Sequence, residues 1–222
     1  DAVDVVYCVP AIDIVPVVEA VKGTNVKVGA ENKYMLKGGF WDGRIEISSI
    51  LFEKKYSSCI FPNDDDPVVV MEMTEDEKYL LCGTKNGFII AYLVNSQNFE
   101  ILQKLFYHHD EITSISINNN LNMFATSSKD GLIMLHVLPS FKLIRTIKIT
   151  INENEKEFVY GDKVFLSSSP IPCITVYISS KGLFKTYSIN GAQLFEITEL
   201  ENSVYIKCSK IIHDLNFQDI LI

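Results

Sequence analysis

The sequence predicts an all-β fold built from repeated units of four antiparallel strands. Three observations predict it: a glycine period, apolar runs of strand length around each glycine, and apolar residues on both faces of those runs. The period is marked by Gly43, Gly87, Gly131 and Gly182, which lie 44, 44 and 51 residues apart. A fixed period of about 40–45 residues indicates a repeat architecture in which each unit is one small sheet.

Each of these glycines ends a short segment between two apolar runs, as in Lys85-Asn86-Gly87 and Lys129-Asp130-Gly131. Asn-Gly and Asp-Gly at such places are typical of type I′ hairpin turns, because glycine, asparagine and aspartate tolerate the positive φ that both central residues need. We therefore predict a type I′ hairpin at the same place in every unit. Asn190-Gly191 predicts a further hairpin between the third and fourth strands of its unit.

The flanking runs have the length and composition of strands. The strands predicted for the four units are 34–36, 45–50, 68–73, 79–82, 88–94, 101–106, 112–117, 123–126, 132–138, 143–149, 174–178, 183–189 and 194–197. In 88–94 and 132–138 both alternating sets of residues are apolar, whereas a sheet with one wet face would alternate cleanly. Each sheet is therefore expected to be covered on both faces by neighbouring sheets.

Four-stranded sheets of this period, stacked face to face, describe a β-propeller. The rival all-β arrangement, two immunoglobulin-like sandwiches, predicts no fixed period. We expect residues 1–222 to form one propeller or several blades of a larger one, with a fifth unit beginning near residue 203. The chain starts without methionine and stops where another hairpin should come, so we expect a longer parent protein.

Composition restricts the function classes. The formal net charge is −8, which argues against a non-specific nucleic-acid binder because such a protein needs a basic field. Arg44 and Arg145 are the only arginines, so the chain is poorly supplied for binding phosphorylated ligands. The five cysteines form no Cys-x-x-Cys motif and are expected to be reduced and buried. With no glycosylation acceptor and no basic leader, we expect a cytoplasmic location.

The sequence offers few candidate catalytic or metal-binding motifs. In His108-His109-Asp110 the adjacent histidines point to opposite sides of an extended segment, so both cannot easily bind one metal ion. Residues 64–66 lack the alternating ligands and glycine of a calcium loop, which favours a solvated loop. No Gly-x-Ser-x-Gly elbow or phosphate-binding glycine loop occurs. We expect no enzymatic activity, no metal and no cofactor.

The unit around Asp130 resembles a WD repeat. His108 stands where that family carries its Gly-His pair, 127–131 matches its Ser-x-Asp-Gly turn, and His136 lies where its third strand usually carries Trp. The resemblance implies that the family's hydrogen-bonded network maps onto His108, Ser128, Asp130 and His136. The preceding unit keeps a smaller part of this network, consisting of Thr84 and Asn86 with Tyr92 at the Trp position.

A narrower resemblance comes from Gly38 to Ile45, which looks like the Gly-Tyr-Trp-Asp-type turn in the C-terminal propeller of BEACH-domain proteins. Residues 108–115, 127–136, 168–173 and 187–191 agree in collinear order, so the likeness covers about 26–200. It implies a large intracellular scaffold in membrane and vesicle trafficking, reaching intracellular membranes through a larger polypeptide.

The predicted function is a non-enzymatic platform for other proteins or peptides. Rigid sheets present their loops with little ordering cost on binding. The candidate partner-binding residues are Trp41, Arg44, Asp65, His109, Asp110, Lys129 and Lys181. Acidic clusters at 64–66, 75–77 and 153–157 favour partners with basic segments. The alternative is a phosphoinositide-recognising propeller, although its Phe-Arg-Arg-Gly motif does not occur here.

Overall fold

The computed structural model describes residues 5–9, 22, 26–30, 34–37, 45–49, 55–59, 66–94, 99–151, 158–198, 211–213 and 219–221. Within these ranges the regular structure is strand, apart from one short 3-10 turn at Ser179–Lys181. No helix in the described part of the chain has the length and hydrophobicity needed to cross a bilayer. The prediction of an all-β fold is confirmed.

The chain begins with two paired strands and a three-stranded sheet. The pair is parallel and joins β1 (Val5–Val9) to β2 (Val26–Ala30). The antiparallel three-stranded sheet, called the first blade, contains β3 (Tyr34–Lys37), β4 (Ile45–Ser49) and β5 (Lys55–Cys59). The glycine predicted to turn this unit, Gly43, lies outside the described residues.

Three sheets of four antiparallel strands follow, each a simple meander. The second blade is β6 (Val68–Met73), β7 (Tyr79–Thr84), β8 (Phe88–Val94) and β9 (Phe99–Phe106); the third is β10 (Ile112–Asn118), β11 (Met123–Ser128), β12 (Leu132–Val137) and β13 (Lys142–Lys148); the fourth is β14 (Lys163–Ser167), β15 (Cys173–Ile178), β16 (Leu183–Ser188) and β17 (Gln193–Thr198). The prediction of four antiparallel strands per unit is confirmed in these three sheets. A last hairpin joins β18 (Ile211–His213) to β19 (Asp219–Leu221), and most of the predicted fifth unit lies outside the described residues.

The turns between second and third strands differ from the type I′ prediction. Gly87 and Gly131 have φ of 88° and 78°, whereas Asn86 and Asp130 are absent from the positive-φ residues of the described chain. The amide of Gly87 donates to the Thr84 carbonyl at 3.3 Å. This geometry fits a three-residue loop in which a type I turn is followed by one left-handed residue, and that residue is glycine.

A hydrophobic core lies between each pair of consecutive blades and contains residues of both. Leu81, Ile89 and Ala91 of the second blade share a core with Phe124 and Ile112 of the third. A second core joins the third and fourth blades, and a third joins the second blade to Ile45 of the first. Alternate residues of one strand, such as Leu80 and Leu81, therefore enter cores on opposite faces of the sheet. This explains the runs that are apolar in both alternating sets.

The first strands of the third and fourth blades are also joined by polar side chains. The hydroxyls of Ser114 and Ser116 accept hydrogen bonds from the Val164 and Leu166 amides at 3.2 and 3.0 Å. The Asn118 side-chain amide donates to the Leu166 carbonyl at 3.0 Å. The alternation of isoleucine with small polar residues along β10 therefore serves two contacts: apolar packing and a hydrogen-bonded ladder to the next blade.

Candidate interaction face at the turns between blades

The turns between second and third strands lie at the same end of the blades as the loops that connect consecutive blades. An antiparallel four-stranded meander places these segments together, because strands two and four both end where strands one and three begin. We call this end the turn face and define it by turns 85–87, 129–131 and 179–182 and loops 106–111 and 158–162.

The two turn glycines pack directly against the loop that leads into the next blade. A Cβ on Gly87 would lie 2.7 Å from the His108 carbonyl oxygen, and one on Gly131 would lie 2.9 Å from the Val159 carbonyl oxygen. Both distances are too short for real Cβ contacts. Glycine is needed at these turns for two reasons: the left-handed backbone and the close approach of the next blade.

The network predicted from the WD resemblance is centred on His108, which is fully buried. Its Nδ1 lies 2.9 Å from Asp130 Oδ2, and its Nε2 lies 2.9 Å from Thr126 Oγ1. Ser128, the residue that sequence reasoning assigned to this network, instead donates its hydroxyl to the Asp110 carbonyl and accepts the Asp130 amide. Ser128 is occupied in closing the turn, so Thr126, two residues earlier on β11, contacts the histidine.

Asp130 links the turn to the preceding loop. Its carboxylate accepts hydrogen bonds from the His109 amide at 3.1 Å and the Leu132 amide at 2.9 Å, besides its contact with His108. Burial by itself would raise the pKa of Asp130, but the hydrogen bond and charge of His108, with the two amides, hold that pKa below its usual value. The ionised carboxylate therefore fixes the loop backbone to the turn.

His136 lies apart from this network although it occupies the predicted Trp position. Its fully buried ring stacks on Phe124, with centroids 4.6 Å apart and an interplanar angle of 6°. Among the described residues, neither ring nitrogen has a hydrogen-bond partner. Burial lowers the pKa of His136 to about 4; the Phe141 backbone opposes this shift without reaching hydrogen-bonding geometry. His136 therefore occupies the predicted Trp position as a neutral, flat ring that packs on Phe124.

In the second blade, the smaller network uses a residue that the sequence did not single out. Asp66 is 5% exposed, and its Oδ1 accepts the Asn86 amide at 2.9 Å. Thr84 accepts the Phe88 amide through its hydroxyl, and Tyr92 is buried in the core. The interpretation of Asp66 as part of a solvated loop was wrong, because its carboxylate holds the turn of its own blade. No signal in the sequence marks this role, because the burial of Asp66 depends on its contact with residue 86.

Four of the predicted partner-binding residues lie on the turn face: His109, Asp110, Lys129 and Lys181. His109, Asp110 and Lys181 are exposed. Lys129 forms an ion pair with Glu111 at 2.9 Å, and that hydrogen bond raises the pKa of the lysine. The other three predicted residues, Trp41, Arg44 and Asp65, lie outside the described residues.

Exposed aromatic rings on the turn face were missed in the sequence. Phe158 is 67% exposed and packs beside Gly131, and Phe106 is 56% exposed. The Phe106 ring stacks on Phe88 at 4.5 Å and lies edge-on to His109 at 6.1 Å. Phe106 and Phe158 both lie at the connections between consecutive blades. In the sequence such a residue cannot be distinguished from a buried apolar residue at the end of a strand. Exposed aromatic rings supported by neighbouring groups are typical anchors of protein interfaces.

Comparison with known proteins identifies the fold. No protein-family model matches the sequence. The solved structure of U3-55K is similar with a TM-score of 0.62 and 15% identity over 75% of this chain and 48% of that chain. The structure of the RRP9 WD40 repeats is similar with a TM-score of 0.59 and 16% identity, over 73% of this chain and 47% of that chain. The structure of Sqt1 from Saccharomyces cerevisiae is similar with a TM-score of 0.64 and 13% identity, over 81% of this chain and 48% of that chain.

The fold is that of a WD40 β-propeller. This agrees with the resemblance drawn from the unit around Asp130. The chain spans about half the length of the solved structures it matches. At 13–16% identity the likeness concerns the fold, and function has to be argued from the turn face itself.

Proposed function

We propose that this chain is a non-catalytic protein-interaction scaffold whose partners dock on the turn face. One observation carries the proposal: exposed aromatic and charged side chains stand on a backbone fixed by hydrogen bonds between turn and loop. Asp66, Asp130 and Asp162 each accept an amide from the opposite segment, at 2.9, 3.1 and 2.7 Å. A surface held in this way loses little conformational entropy on binding, which favours affinity.

The partner chemistry follows from the side chains that remain exposed. Phe106 and Phe158 offer apolar anchors, and His109, Asp110 and Lys181 supply polar contacts around them. Aromatic anchors inside a polar rim suit a protein or peptide partner. The acidic total charge continues to argue against nucleic acid, and we propose a cytoplasmic scaffold that reaches membranes through a larger polypeptide.

Affinity capture with the full-length protein tests this proposal. Phe158→Ser is expected to weaken capture of the partner about thirtyfold, since truncating an interface anchor costs about 2 kcal/mol. Ile171→Ser is the matched control: Ile171 is 66% exposed, against 67% for Phe158, but lies in the turn between β14 and β15 at the opposite end. Both variants should keep the melting temperature of the wild-type protein.

The outcome separates the candidate functions. A protein retained by wild type and by Ile171→Ser, and lost with Phe158→Ser, supports the turn face. Equal retention by all three proteins, or no retained protein, contradicts it. Flotation of the protein with anionic phosphoinositide vesicles would favour the alternative, a membrane-recognising propeller.

We further propose that the scaffold is the propeller of a BEACH-type protein in vesicle trafficking. The collinear order of the stretches 108–115, 127–136, 168–173 and 187–191 supports this. The complete coding sequence tests it directly: a BEACH domain encoded upstream of this segment supports the assignment, and a full-length reading frame without one contradicts it.

A further inference from the structure

A cleft of about 460 Å³ lies between the second and third blades, at the end opposite the turn face. Three turns enclose it: those between β6 and β7, between β10 and β11, and between β12 and β13. Its apolar wall contains Tyr79, Leu138 and Pro139. The cleft is therefore a composite site that exists only where two blades meet.

The other residues that line the cleft are polar or charged, and two of them are acidic. Glu75 and Asp76 are exposed residues of the lining, and Asn119 and Asn122 also belong to it. Asp76 has a local role, because its carboxylate accepts the Thr74 hydroxyl and the Lys78 amide. Glu75 has no such role within its turn and faces solvent at the rim.

The wall of the cleft already accepts a cation. The Lys78 ammonium stands over the Tyr79 ring, 5.2 Å from its centroid. Phe141 also contacts the Tyr79 ring, in a T-shaped arrangement with centroids 5.7 Å apart. A fixed aromatic face beside a carboxylate is the arrangement that attracts lysine and arginine side chains.

We propose that this cleft binds one lysine or arginine side chain of an extended partner peptide. The guest cation lies on Tyr79 and pairs with Glu75, while its aliphatic stem contacts Leu138 and Pro139. Lys78 is the resident occupant of the same ring face and competes with the guest. A cationic partner is favoured by the carboxylates at the cleft. It is also favoured by the chain as a whole, which has a net charge of −8. This contact goes beyond the turn-face proposal and gives the scaffold a second site of defined chemistry.

Two opposite effects distinguish this site from general attraction between a basic peptide and an acidic protein. Lys78→Met should strengthen binding about two- to fivefold because it removes the competitor, and Glu75→Gln should weaken it by a similar factor. Glu100→Gln, an equal change of charge at an exposed position on β9, should leave binding unchanged.

The assay is fluorescence anisotropy with the full-length protein and a labelled peptide, GSARASG, against the same peptide carrying citrulline in place of arginine. Citrulline keeps the shape of arginine without its charge. We expect the arginine peptide to bind at least fivefold more tightly, with the variant effects given above. Equal affinity for the two peptides overturns the proposal, as do equal effects of Glu75→Gln and Glu100→Gln. Failure of this test leaves partner capture at the turn face unaffected.

Discussion

Replacing Gly131 by alanine is expected to lower the free energy of unfolding by about 2–4 kcal/mol. An L-residue in the left-handed region costs about 1–2 kcal/mol. The added Cβ would also meet the Val159 carbonyl oxygen at 2.9 Å, and backbone cannot move aside as a flexible side chain can. Gly87→Ala should behave in the same way, because its Cβ would meet the His108 carbonyl oxygen at 2.7 Å. Chemical denaturation measures both effects.

Gly191→Ala separates the two causes. Gly191 has φ of 86°, close to that of Gly131, but the nearest atom to its added Cβ is 3.5 Å away, which is ordinary contact. We therefore expect this control to lose about 1–2 kcal/mol, the cost of the left-handed backbone alone. Equal losses for Gly131→Ala and Gly191→Ala would show that the next blade does not press on the turn.

The second large effect is a loss of stability in acid caused by His136. The pKa of His136 falls to about 4 in the folded protein, whereas the unfolded chain has the usual value of 6.5. Between these values the unfolded state binds the proton more strongly, so stability falls as pH falls from 6.5 to 4. The difference amounts to about 3 kcal/mol at pH 4, and to about 2 kcal/mol between pH 7 and pH 4.5.

His136→Phe tests this assignment, because phenylalanine keeps the flat ring that stacks on Phe124 and cannot be protonated. The variant should be about 1 kcal/mol more stable at pH 7, since two buried ring nitrogens without partners are removed. Its advantage over wild type should widen by about 2 kcal/mol at pH 4.5. Parallel pH profiles of the two proteins would contradict the account, and His109→Ala, a change at an exposed histidine, should follow wild type.

Strand positions could be predicted because they depend on local pattern. The apolar character of residues 88–94 on both faces is visible in their own sequence. Gly87 and Gly131 likewise mark turns because glycine itself tolerates a positive φ. The contact of His108 with Asp130 was predicted from the resemblance of this unit to a WD repeat. These features need only the sequence within one unit.

Features that depend on a neighbouring segment were not accessible. Whether Thr126 or Ser128 contacts His108 depends on which hydroxyl closes the turn. The burial of Asp66 depends on the backbone of residue 86. In the sequence Phe158 looks like an ordinary apolar residue, and only the structure shows that it is exposed. Each of these outcomes is decided by distances between segments about twenty or more residues apart.

The most direct test of the packing of consecutive blades is amide hydrogen exchange at β14. In the structure, the Leu166 amide donates to the Ser116 hydroxyl and the Val164 amide donates to the Ser114 hydroxyl of the preceding blade. We predict that Ser116→Ala accelerates exchange at Leu166 more than at Val164, and that Ser114→Ala does the reverse. Unchanged exchange at both amides in both variants would contradict the packing of the fourth blade against the third.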